Sequence, residues 1–167
     1  MRVLDAALPQ DVDALIALNN AAVPAVNTLD DTALLRLAAM GRVRVVRGDE
    51  ILGFVLTLPP GEPYESGNYL WFNEHYGHFL YVDRIVVAEA ARGRGVGRAL
   101  YEDAIAQADA TAAGRICCEV NLDPPNPGSF AFHGNLGFTA LCARPNDGKT
   151  VAMMVRELGE AVTTAVA

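Results

Sequence analysis

Arg92-Gly93-Arg94-Gly95-Val96-Gly97-Arg98 lies between a strand-like run, Phe79 to Val87, and an amphipathic run with Ala99, Leu100, Ala104 and Ala108 as its inner stripe, stopped by Gly114. Three glycines let a backbone turn tightly with its N–H groups pointing one way, and the helix that follows adds about half a positive charge behind them. Such a turn is a cradle for an anion. The arginines at 92, 94 and 98 can add charge-assisted contacts, so a phosphate or diphosphate is the natural guest. A tight strand-to-helix turn carrying solvated arginines is an equally good account of these seven residues taken alone.

The kind of phosphate ligand follows by exclusion. There is no GxxxxGK[ST], so the lysine and the magnesium-binding hydroxyl of a nucleoside triphosphatase are missing. Glycines 93, 95 and 97 alternate and do not make GxGxxG, and no βαβ unit precedes them, so a dinucleotide fold fits poorly.

Working outward, the chain reads as a strand, two helices and a hairpin before this turn, and a strand, a short helix and a hairpin after it. Pro9 opens the first helix and Asp30-Asp31 the second, which Gly41 closes. Arg42 to Arg47 and Ile51 to Leu58 pair across Gly48-Asp49. Residues 59–78 hold Pro59, Pro60, Gly61, Pro63 and Gly67, then Tyr69, Trp71, Phe72, Tyr76 and two histidines, and read as a long lid or binding loop. Beyond Gly114, Ile116 to Val120 is a strand, Asn126-Pro127 caps a short helix, and 138–143 with 150–156 form a last hairpin. One mixed α/β domain over residues 1–158, with a tail at 159–167, is the expectation.

With those elements in place, the sequence resembles the GNAT superfamily of acetyl-CoA-dependent N-acyltransferases. Residues 92–97 match its Q/R-x-x-G-x-G/A signature, Ile85-Val86-Val87 its preceding strand, and Asn126 to Phe138 its Asn-x-x-Ala-x-x-Phe-Tyr-x-x-x-Gly-Phe segment. In detail, through Glu119 to Pro127, the chain resembles a bacterial subgroup of predicted acetyltransferases whose acceptor is unassigned. The resemblance implies a mixed central sheet of about seven strands, splayed at the middle, with about four helices. It implies that backbone amides of Arg92, Gly93, Arg94, Gly95, Val96, Gly97 and Arg98 hold the coenzyme A diphosphate. Ile85, Val86 and Val87 would then pair with the pantetheine arm as with an added strand, with Asn126 and Phe132 beside it.

Transfer to an amine needs a neutral nucleophile, yet an alkylamine is neutral in only about one molecule in a thousand at pH 7. A general base, and an acid for the leaving thiolate, answer that need. The family commonly places a Tyr four residues before its Gly-Phe pair, and here His133 stands there. It is either the acid or a neutral helix residue. Tyr81 and Asp83 share a strand face, with Asp83 the first candidate for the base or an acceptor-amine anchor and a salt bridge with an arginine as its alternative. Glu119 is in reserve. Asn19, Asn20 and Asn27 and the aromatics Tyr69, Trp71, Phe72 and Tyr76 are candidates for the acceptor pocket.

Composition agrees with this reading. The 167 residues carry 20 acidic against 13 basic side chains, a net charge of −7, which disfavours nucleic acid and anionic membranes as partners. No apolar run approaches a membrane span, so a cytoplasmic protein is expected. Cys117, Cys118 and Cys142 are odd in number and lack CxxC spacing, so buried, inert thiols are expected and no metal site. The activity expected is direct acetyl transfer from acetyl-CoA to the primary amine of a small molecule, by a monomer or homodimer. A catalytically weak acyl-CoA sensor and a protein or peptide N-acetyltransferase are the alternatives.

Overall fold

A computed structural model describes residues 1–6 and 8–159. The tail expected over 159–167 therefore lies, from residue 160 on, outside the described residues. Seven strands form one sheet in the order β1-β2-β3-β4-β5-β7-β6: β1 (Val3–Asp5), β2 (Arg42–Arg47), β3 (Ile51–Leu58), β4 (Leu80–Val87), β5 (Arg115–Asp123), β6 (Thr139–Asn146) and β7 (Lys149–Glu157). Every pairing is antiparallel except β4 with β5. That parallel pairing covers only Leu80↔Ile116 and Tyr81↔Cys117, and past it the two strands splay apart.

Helices cover both faces. α1 (Val12–Asn20), α2 (Asp31–Met40) and α3 (Gly67–His75) lie on one side, and α4 (Val96–Ala110) and α5 (Pro127–Asn135) on the other. Each side has its own apolar core: Leu15, Leu34, Phe54, Leu56, Phe72 and Tyr81 on the first, Val55, Val82, Leu100, Ala104, Ile116 and Met154 on the second. Asp30 caps α2, accepting from the Ala33 N–H at 2.8 Å, as its sequence position suggested. Gly41 follows the last residue of α2, and only glycine fits there because a Cβ would sit 1.9 Å from the Thr57 carbonyl oxygen.

Two local expectations are corrected. α1 begins at Val12 rather than Pro9: residues 8–11 form a turn closed by the Val12 N–H donating to the Pro9 carbonyl at 3.2 Å, and the Asp11 side chain pairs with Arg47 at 2.8 Å. Residues 59–78 are not an open loop: Ser66 caps α3, a fifth helix beyond the four expected, by accepting from the Tyr69 N–H. Tyr69 and Phe72, three apart and so on one helical face, are fully buried. The Tyr69 hydroxyl donates to the Pro59 carbonyl at 2.6 Å, which folds the proline-rich stretch back over the helix.

One irregularity shapes the site. Opposite Leu56 and Thr57, strand β4 has Arg84 and Val82, leaving Asp83 as a bulge. Before the bulge Tyr81 faces the first core and Val82 the second; after it Val86 faces the first and Ile85 the second. The alternation is inverted, so Asp83 and Arg84 both reach the α1/α2 side.

Candidate active site

The splay between β4 and β5 opens a cleft of about 1290 Å³ that runs from the glycine turn to the α1–α2 loop. Ile85, Val86, Val87, Arg92, Gly93, Gly95, Val96, Gly97, Arg98, Asn126 and Phe132 all line it; Arg94 is exposed outside the lining. Gly93 and Gly95 have φ of 74° and 80°, a left-handed backbone that favours glycine, and Gly95 is the residue before α4. Ala99 donates to the Gly95 carbonyl at 3.0 Å, so the N–H groups of residues 96–98 form the first turn, without acceptors inside the helix. Gly97 is needed for another reason: a Cβ there would lie 2.9 Å from Cζ of Phe132. A cradle of amides, an unpaired strand edge at 82–87 and an elongated cleft joining them fit the diphosphate and pantetheine of coenzyme A. Asn126 caps α5 by accepting from the Ser129 N–H at 3.3 Å, and lines the cleft as well.

At the middle of the cleft stands Glu119 on β5. The Tyr81 hydroxyl lies 2.9 and 2.7 Å from its two carboxylate oxygens and donates to them from the core side. Burial, reinforced by the negative charge of Asp83, pushes the Glu119 carboxyl up to about 7 despite that hydrogen bond. Tyr81, fully buried, is raised well above the usual tyrosine range by the same desolvation, so it stays a neutral donor that positions Glu119. Asp83 accepts from the Tyr64 hydroxyl at 2.6 Å and from Nε of Arg84 at 2.8 Å, with only 4% of its side chain exposed. Its oxygens are thus already occupied on both sides. Of the two carboxylates, Glu119 has the environment of a group that titrates near neutrality, whereas Asp83 is held in an ion pair with Arg84, the alternative its sequence position offered.

His133 also lines the cleft, but its proton does not face it. Nδ1 is 2.7 Å from the Ser129 carbonyl oxygen, which only accepts, so Nδ1 carries the proton. Nε2 accepts from the Tyr101 hydroxyl at 2.5 Å. Burial lowers the imidazole's pKa, so the ring is neutral at pH 7 and both nitrogens are engaged. In this arrangement His133 orients the Tyr101 phenol and is not itself poised as the acid. His133→Phe is therefore expected to lower kcat less than tenfold. It should cost about 1–3 kcal/mol of stability, because the buried Tyr101 hydroxyl loses its acceptor. Steady-state rates and calorimetric melting check this together. A hundredfold loss of kcat with unchanged melting would return the acid role to His133.

At the end of the cleft away from the glycine turn, Asn27 is part of the lining, and Asn19 lies behind it. Asn19 is fully buried, donates to the Asn27 carbonyl at 2.9 Å and accepts from Nη1 of Arg84 at 3.0 Å. Asn20 bonds both backbone groups of Leu29. Nζ of Lys149 donates to the Pro24 carbonyl at 3.0 Å and to Oδ1 of Asn27 at 3.2 Å, and Nδ2 of Asn121 also reaches the Pro24 carbonyl. These bonds strap the α1–α2 loop to the β6–β7 hairpin along the cleft.

The aromatic lid is not there. Tyr69 and Phe72 are core residues, Trp71 stacks on His75 with ring centroids 3.8 Å apart, and Tyr76 lies under the Arg115 guanidinium; neither Trp71 nor Tyr76 lines the cleft. Tyr64, Glu65, Ser66 and Gly67 do, from the segment that the proline-rich composition had disguised. Tyr101 was missed as well. Cys117 and Cys118 are buried, with burial raising the Cys117 thiol to about 12, whereas Cys142 is exposed, against expectation. Among the described residues no cluster of His, Cys, Asp and Glu suits a metal ion, and no helix is long and apolar enough to cross a membrane.

No curated protein matches the sequence. The structure is similar to a ribosomal-protein-alanine N-acetyltransferase from Brucella melitensis, 22% identical, with 95% of this chain and 100% of that one covered and a TM-score of 0.71. It is similar to Ard1 from Thermoplasma volcanium, 17% identical over 95% of this chain and 98% of that one, TM-score 0.75. It is also similar to Chaetomium thermophilum Naa20, solved in complex with a bisubstrate analogue, 22% identical over 95% and 87%, TM-score 0.72. At these identities the likeness speaks for the fold. The sequence itself matches the acetyltransferase (GNAT) family over residues 14–138, three-quarters of its length, including the glycine turn and both strands that open the cleft, and the chain belongs to that family of acetyl-CoA-dependent acetyltransferases.

Proposed function

We propose that the protein moves the acetyl group of acetyl-CoA directly onto the primary amine of a small molecule, both substrates sharing the one cleft. The observation that carries this reading is the continuity of that cleft: an amide cradle at one end and Glu119, with a pKa near 7, partway to the other. Glu119, as the carboxylate, takes a proton from the ammonium form of the acceptor, and the neutral amine then attacks the thioester carbon. A C–N bond forms and the C–S bond breaks. The second amine proton ends on the departing thiolate, whose reference pKa of about 8.5 asks for little acid assistance. Tyr101, fixed by His133, borders that region of the cleft. Neither buried cysteine has the low pKa of a nucleophile, which favours direct transfer over a covalent acetyl-enzyme.

The strap through Lys149 favours a compact acceptor over a folded protein surface. A peptide amine is the second reading, favoured by the similar structures, one of which is named as a ribosomal-protein-alanine N-acetyltransferase. The test is thiol release from acetyl-CoA by the purified protein, with a panel of small amines and a panel of short peptides. Turnover of small amines well above hydrolysis is expected. Turnover of peptides alone would move the acceptor to the second reading, and coenzyme A binding without turnover of either would leave the sensor.

A further inference from the structure

Arg84 is a cation in an unusual position. Only 9% of its side chain is exposed, yet it lines the cleft and its field reaches Glu119. Its guanidinium is fixed on two sides: Nε to Asp83 at 2.8 Å, Nη1 to Asn19 at 3.0 Å and to the Asn27 carbonyl at 3.3 Å. Nη2 has no hydrogen-bond partner among the described residues. A guanidinium presents its donors as a planar fork suited to a carboxylate, and a nearly buried one rarely leaves an edge unspent.

A second unspent group lies close by. Asn68, in the first turn of α3, is 1% exposed and stands beside Glu119, whose charged form it favours. The Asn68 amide makes a loose polar contact with the Glu119 carboxylate, and neither Nδ2 nor Oδ1 reaches full hydrogen-bond geometry with a described residue. Buried amides are satisfied in the great majority of structures, so an amide left short of partners beside Glu119, one residue on from the cleft-lining Ser66 and Gly67, calls for a polar group on the ligand. Asp83 cannot be that partner's counter-charge, since Tyr64 and Arg84 already fill it.

We propose that the acceptor is a free amino acid, a zwitterion whose amine lies against Glu119 and whose own carboxylate is taken by Nη2 of Arg84, with the Asn68 amide as the second polar contact. The inference rests on the small-amine reading above and narrows it. The Asp83 bulge is what makes it work: without the inverted alternation Arg84 would face the second core and would not stand on the same side as Asp83. A peptide amine would offer Arg84 only a neutral carbonyl, and a charge-assisted bond is roughly twice as strong as a neutral one. Arg84 is thus a specificity residue that separates free amino acids from peptides and from simple amines.

The experiment compares matched acceptors: L-α-amino acids with β-alanine and γ-aminobutyrate, their carboxamides, and their decarboxylated amines. Binding to the protein saturated with coenzyme A is measured by calorimetry, and turnover by thiol release. At least one free amino acid is expected to bind and to react tenfold or more better than its carboxamide and its amine. Equal affinity across the three forms, or preference for the carboxamide, overturns the inference while leaving acetyl transfer to amines intact. Binding with the expected preference but no turnover would instead overturn the acetyltransferase reading alone. Arg84→Gln should collapse the preference ratio toward one, and Asn68→Leu, which removes an unsatisfied amide and should fold at least as well, should raise the amino acid KM. A ratio unchanged in both variants assigns Arg84 and Asn68 to structure only and overturns their role.

Discussion

Glu119→Gln is expected to lower kcat by about a hundredfold or more, the scale of a general base, with the affinity for coenzyme A unchanged. The parent should gain activity as pH rises through about 7, where Glu119 loses its proton, and that limb should vanish in the variant. Stability moves the other way, and the sign follows from linkage. Glu119 titrates higher in the folded protein than in the unfolded chain, so its contribution to stability is full below the unfolded pKa and is lost as pH rises through about 7. Gln carries no such loss, and its amide oxygen can still accept from Tyr81. The melting temperature of Glu119→Gln relative to the parent should therefore climb between about pH 5 and pH 8, while its activity relative to the parent falls. A variant that loses kcat and also loses relative stability over that pH range would show Glu119 to be a structural ion-pair member, and the base would have to be sought at Asp83 or in solvent.

What could be read from sequence was local. The glycine turn, the Asn126 cap with Pro127 behind it, the β2–β3 hairpin and the end of α2 at Gly41 are each specified by neighbours a few residues away, and each is where it was expected. The misplaced features depend on distant partners. Glu119 ranked behind Asp83 because nothing near it in sequence reveals that Tyr81 backs it, or that Asp83 is consumed by Tyr64. The bulge that brings Arg84 to the same side as Asp83 is a property of β3–β4 pairing, and the strict two-residue alternation of a strand gives no hint of it. The strap through Lys149 joins residues more than a hundred positions apart. Two misses did leave a trace. Tyr69 and Phe72 have the spacing of a buried helical face, obscured by the prolines before them, and Tyr101 follows Leu100 and precedes Ala104 by three, on the inner stripe of α4.

The glycine turn yields the other large effect. At Gly95 a Cβ would meet nothing within 4 Å, so a side chain there does not collide with the protein; it stands in the open space of the cradle. Its φ of 80° nevertheless strains a β-branched residue by about 1–3 kcal/mol. Gly95→Val should therefore fold, melt several degrees lower, and lose coenzyme A affinity by more than a hundredfold, as measured by calorimetric titration with coenzyme A itself. Gly61 separates strain from obstruction, because it has a φ of 82° and equally empty surroundings but lies outside the cleft lining. Gly61→Val should share the drop in melting temperature and bind coenzyme A like the parent. Gly97→Val makes a poorer test, since its Cβ would push Phe132 from 2.9 Å and mix packing with binding. If Gly95→Val and Gly61→Val bound coenzyme A equally well, the amides of the turn would not hold the diphosphate, and the cleft would have to be entered from its other end.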